Sequence, residues 1–91
     1  MFDLVSAYKK TIIHQIEFYL NKKIKDYELV IILNEILPFM LNEKGSRAYR
    51  DLLNVLAYYN LDKIEAKALP NNYLSEEDLR KEMLKFITIS E

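Results

Sequence analysis

The chain has 91 residues, 51% hydrophobic and 30% charged, with a formal net charge of −1. That balance suits one packed domain over residues 1–91 and excludes both a multi-domain protein and a disordered tail. It also argues against a general nucleic-acid coat or a polybasic membrane anchor, which need a large excess of cations. With no cysteine in the chain, disulfide scaffolds, thiol nucleophiles and cysteine-ligated metal centres fall away. One glycine and two prolines cannot furnish the turns that an all-β fold needs every ~8–12 residues. The expectation is a small all-helical domain.

The opening residues Met1-Phe2-Asp3-Leu4-Val5 do not follow the cation-first, apolar-second order of a secretory signal. The uncharged run Leu29–Asn34 is far shorter than the ~20 residues that cross a bilayer. Cytoplasmic residence, without membrane association, is therefore expected.

The first segment places Leu4, Tyr8, Ile12, Ile16 and Leu20 at four-residue steps, with Val5, Ile13 and Tyr19 widening the stripe. This is the period of an amphipathic helix over about residues 3–22, closed by the cations Lys22, Lys23 and Lys25. Asp26 suits the N-cap of a second helix, whose stripe runs through Leu29, Leu33, Leu37 and Met40. Val30 and Ile31 broaden that stripe, so this helix should be the most deeply buried. Pro38 removes a backbone donor and predicts a kink or break, and Gly45 suits a left-handed C′ position. A third helix, capped by Ser46, carries Tyr49, Leu52, Leu53 and Leu56 at helical spacing to about Asn60. Residues Leu61–Leu69 have room for one or two further turns before the loop Pro70-Asn71-Asn72. Ser75-Glu76-Glu77-Asp78 then carries a capping signature for a last helix with Leu79, Met83, Phe86 and Ile87. Short links between these helices predict a compact antiparallel bundle of four to five helices.

Little here resembles a reaction centre. His14 is the only histidine and has Glu17 as its sole helical neighbour of suitable type, which reads as a surface pair. No serine sits in a nucleophile elbow, and a lone glycine cannot build a phosphate cradle. The carboxylate groups Asp26/Glu28 and Glu76–Asp78 fall at helix starts, where negative charge is stabilised in any case. The expectation is a protein without enzymatic activity, cofactor or metal.

Charge distribution says more than the total. Residues 1–25 hold five lysines against two acids, net +3, whereas residues 26–61 and 62–91 are each net −2. An acidic surface is complementary to a basic partner and speeds encounter with it. Seven tyrosines accompany it, and Tyr58 and Tyr59 cannot both face a core across one helix. Duplex DNA is the competing partner, but the helix after Pro70 opens on acids that repel phosphates.

The stretches Asp26-Tyr27-Glu28-Leu29, Ile36-Leu37-Pro38, Tyr49-Arg50-Asp51-Leu52-Leu53-Asn54-Val55-Leu56 and Leu74–Phe86 together resemble the small helical immunity proteins of bacterial toxin systems. Contact-dependent growth-inhibition immunity proteins are nearest in pattern, and colicin-D-type immunity proteins are similar in size and helical character. Gly45-Ser46-Arg47 stands where that family usually carries an acidic turn. The resemblance implies binding to a cognate toxin domain, typically a basic nuclease, and occlusion of its active or substrate-binding surface. The candidate partner-binding residues are Asp51, Tyr58, Tyr59, Asp62, Glu65, Tyr73, Glu76, Glu77 and Asp78. Two alternatives stay open. One is a small regulatory or phage-encoded DNA-associated module working through Lys22, Lys23 and Lys25. The other is a homo-oligomeric structural protein using the apolar face of residues 30–41. Monomer and dimer are both compatible with the sequence.

Overall fold

In the computed structural model, residues 4–42, 47–59, 63–69 and 73–90 are described. They form α1 (Leu4–Leu20), α2 (Asp26–Ile36), a 3₁₀ turn (Leu37–Met40), α3 (Arg47–Tyr58), α4 (Lys63–Ala68) and α5 (Glu76–Ser90). No strand occurs among the described residues, so the all-helical expectation holds. α1 packs on α2 and α5, and α3 packs on α2, α5 and the 3₁₀ turn.

One core joins these elements. Ile12, Ile16 and Tyr19 of α1 meet Leu29 and Leu33 of α2, Leu52 and Leu56 of α3, and Leu79, Met83 and Phe86 of α5. Each set recurs at three- or four-residue steps, the spacing that lays apolar side chains along one helix face. Burying side chains of this size contributes roughly 1.5–3 kcal/mol each, and this drives the helices together. α2 is not buried all round: Ile31 and Tyr27 face outward. Phe39 also lies outside, with its ring stacked on Tyr8 at 5.4 Å between centroids.

Helix ends differ from the sequence expectation in informative ways. α1 stops at Leu20 because Lys22 takes a left-handed backbone, φ 62°. The Lys22 N–H then bonds to the Tyr19 carbonyl and the Lys23 N–H to the Phe18 carbonyl, at 3.0 and 2.8 Å. This paired arrangement closes a helix and is usually built on glycine, so Lys22 holds it under strain. Asp26 is not the N-cap of α2. Lys25 holds that position, and its N–H donates to the Glu28 carboxylate at 3.2 Å. Asp26 becomes the first helical residue, and its side chain goes to a tertiary partner described below.

Pro38 acts as expected, converting the end of α2 into the 3₁₀ turn. The capping pair before α5 also forms. The Asp78 N–H donates to Ser75 Oγ at 3.1 Å, and the Ser75 N–H reaches back to the Asp78 carboxylate at 3.4 Å. The expected roles of Gly45, Ser46 and the loop 70–72 fall on residues outside those described. The segment after Leu61 does carry a short helix, α4, on which Ile64, Glu65, Lys67 and Ala68 are all exposed.

Candidate functional site

The structure splits the expected binding residues into three groups. Where α3 ends and α5 begins, the Leu74 N–H bonds to the Tyr58 carbonyl and draws the two helix termini together. Tyr58 is 62% exposed there, beside Tyr73, Glu76, Glu77 and Asp78 at the start of α5. The Tyr73 hydroxyl donates to Glu65 at 3.0 Å and ties α4 to this end of the molecule. Glu77 makes an exposed ion pair with Lys81, one turn on, at 3.7 Å. Such a pair is worth only a few tenths of a kcal/mol and is easily exchanged for another cation. Glu77 and Asp78 therefore present exposed carboxylates, each oriented by one local bond with lone pairs to spare, and Glu65 is exposed on α4.

Tyr59 belongs to the second group. It is 5% exposed, inside the core rather than beside Tyr58 on the surface, and its hydroxyl donates to Asp26 across 33 residues of sequence. Consecutive residues at a helix end point about 100° apart, so one enters the core as the other leaves it. Asp51 forms the third group alone. It lies about two turns before Tyr58 on α3, a rise of roughly 10 Å, in a groove against α5. Asp62 lies outside the described residues.

A polar cluster that the sequence did not announce sits under the first group. Tyr19, 2% exposed, donates from its hydroxyl to Glu76 over a long 3.4 Å. The Arg80 guanidinium lies 5.3 Å from the centre of the Tyr19 ring. Its Nη2 donates to the Leu20 carbonyl at 2.8 Å and its Nη1 to the Tyr19 carbonyl at 3.4 Å. Arg80 thus caps the C-terminus of α1, whose last carbonyls have no partner within the helix. The hydroxyls of Tyr19 and Tyr59 are both pushed well above the ordinary tyrosine value. Burial is the main cause in each, followed for Tyr19 by the negative charge of Glu76 and for Tyr59 by its hydrogen bond to Asp26. Both phenols therefore act as proton donors, not as bases.

An open notch of about 540 Å³ lies over this cluster, lined by Tyr19, Lys22, Ile24, Lys25, Asp26, Glu76 and Arg80. Its three cations and two carboxylates largely cancel. Nothing in the sequence marks Tyr19 or Arg80 for this role: Tyr19 reads as one more member of the apolar stripe and Arg80 as a solvated cation. Their partners lie about sixty positions away.

His14 is exposed on α1. No group of three or more histidine or acidic side chains suited to a metal occurs among the described residues, and no described helix is long and apolar enough to cross a membrane. Comparison with known proteins finds no match of this chain to any family model, curated protein or solved structure.

Proposed function

We propose that the chain is an inhibitor of the immunity-protein type, an antiparallel helical bundle that works in the cytoplasm. It binds a basic toxin domain, such as a nuclease, and covers that domain's active or substrate-binding surface. The observation that carries this reading is the shared end of α3, α4 and α5, where exposed Tyr58 stands among Glu65, Tyr73, Glu77 and Asp78. Tyrosine supplies broad contact area at little conformational cost, and carboxylates steer a basic surface toward it. A nuclease attracts phosphates with cations, so the same cations are met by an acidic plug. Occlusion needs no reaction centre in the inhibitor, and the resemblance of the helix patterns to immunity proteins points the same way.

Binding DNA through Lys22, Lys23 and Lys25 is disfavoured by what surrounds them. Lys22 and Lys25 share their notch with Asp26 and Glu76, so a phosphate nearing these lysines also meets two carboxylates.

The test starts at the adjoining reading frame, which should encode a large secreted polypeptide with a basic C-terminal domain. That domain, purified, is titrated calorimetrically with the chain. Tight binding should weaken about tenfold or more on the paired change Glu65→Lys with Glu77→Lys, and again on Tyr58→Ala, with helical content retained. Binding that survives both changes refutes the acidic-plug mechanism.

A further inference from the structure

α4 stands apart from the rest of the fold. The other helices pack closely on one another, and among the described residues α4 packs closely on none of them. Glu65, Lys67, Ala68 and the following Leu69 are all exposed. Ile64, at 84%, is the most exposed large apolar side chain among the described residues. The bond from the Tyr73 hydroxyl to Glu65 holds α4 against the start of α5, and it too is exposed to water.

Six residues make a helix well below the ~12–15 at which isolated helices become even marginal in water, because the first turn fixes several residues for one hydrogen bond. The longer helices offset that cost by burying a face in the core, and α4 buries little. A solvent-exposed hydrogen bond competes with water and recovers only a small part of it. Opening of α4 therefore lies at the low end of the local-unfolding range, whereas helices that share the core open only with the whole domain.

Ile64 and Ala68 are four positions apart and share one helix face, with Glu65 at one edge and Lys67 at the other. Through Tyr73 that face is anchored beside Glu77 and Asp78. Ile64 is thus an apolar knob in a mainly acidic frame, complementary to an apolar pocket bordered by cations. We propose that α4 opens and refolds in the free chain and is fixed as a helix by the bound basic domain, which takes Ile64 into such a pocket. The identity of that domain rests on the inhibitor reading above. A basic surface without the pocket meets the carboxylates alone and leaves α4 open, so Ile64 separates the cognate domain from other cationic proteins.

Hydrogen exchange of the full chain, read by mass spectrometry with no partner present, tests the first half. Amides of residues 64–69 should exchange within about tenfold of the unstructured rate, and those in the buried turns of α1 and α5 at least about a thousandfold more slowly. Lys67→Pro, which removes a helical N–H, should leave the melting temperature within about 2 °C of the wild type. The second half is read with the purified C-terminal domain from the adjoining reading frame. Saturation with it should slow exchange over residues 64–69 about tenfold or more. Ile64→Ser and Lys67→Pro should each weaken binding about tenfold or more, and Lys67→Ala should not weaken it. Amides of α4 as protected as those of α1 in the free chain overturn the proposal. So does a domain whose binding falls with Tyr58→Ala yet is indifferent to Ile64→Ser and Lys67→Pro, a result that leaves the acidic plug standing. A domain that does not bind at all overturns both.

Discussion

Replacing Tyr59 by Phe removes the hydrogen bond from its hydroxyl to Asp26. The ring stays in the core, so no cavity forms, and the whole effect comes from one lost hydroxyl. That hydroxyl donates to a carboxylate, a class of bond worth roughly 1.5–3 kcal/mol. Asp26 is half-buried, so water recovers part of the loss, and the expected cost is about 1–1.5 kcal/mol. In a domain of this size the melting temperature should fall by roughly 4–10 °C. The same change has a signature in pH. Burial and Asp26 hold the Tyr59 hydroxyl above its ordinary value of 10.0, so the folded chain keeps a proton that the unfolded chain releases near there. Its contribution is complete below about pH 10 and drains away as the pH climbs toward the folded-state value. Urea denaturation followed by circular dichroism, at about pH 7 and about pH 11, reads both effects. The wild type should lose more stability over that interval than Tyr59→Phe, although Tyr19 leaves some slope in both. A neutral-pH difference under ~0.3 kcal/mol with identical alkaline losses would refute the reasoning. So would an equal cost in an Asp26→Ala background, because coupled residues are not additive.

Two other substitutions test how α1 ends. Lys22→Gly relieves the left-handed strain at a cost in unfolded-chain entropy, for a net gain of about 0.5–1 kcal/mol, and a thermal melt should show a rise of a few degrees. A fall would mean that the lysine side chain, not the backbone, holds that turn. Arg80→Lys keeps the charge but cannot reach two carbonyls while staying over the Tyr19 ring, so it should cost about 1–2 kcal/mol. Amide exchange in the last turn of α1 should quicken, and a lysine variant as protected as the wild type would discount the fork geometry.

Whatever depends on neighbours along the chain could be read in advance. Ser75 and Asp78 of the capping pair are only three positions apart, the Pro38 break is a property of one ring, and the buried faces follow from periodicity. Asp26 shows where such reading stops. Locally it is a good cap, yet a phenol 33 positions away claims its carboxylate and Glu28 serves the helix start in its place. By residue type alone Tyr59 reads as a surface anchor, and the structure buries it. One step of helical rotation decides between surface and core, and where α3 ends decides that rotation. Asp51 carries the same sign as Glu65 and Glu77, and charge counting along a sequence cannot tell that it faces another groove.

The Arg80 clasp on the end of α1 joins positions sixty apart, most of the chain. A contact that closes so large a loop must wait for the intervening helices to assemble, because the ends meet late in an ordered search. Its energy then arrives mainly after the folding barrier is crossed. Weakening it should leave the speed of folding almost untouched and hasten unfolding, so Arg80 sets how long each folded molecule lasts.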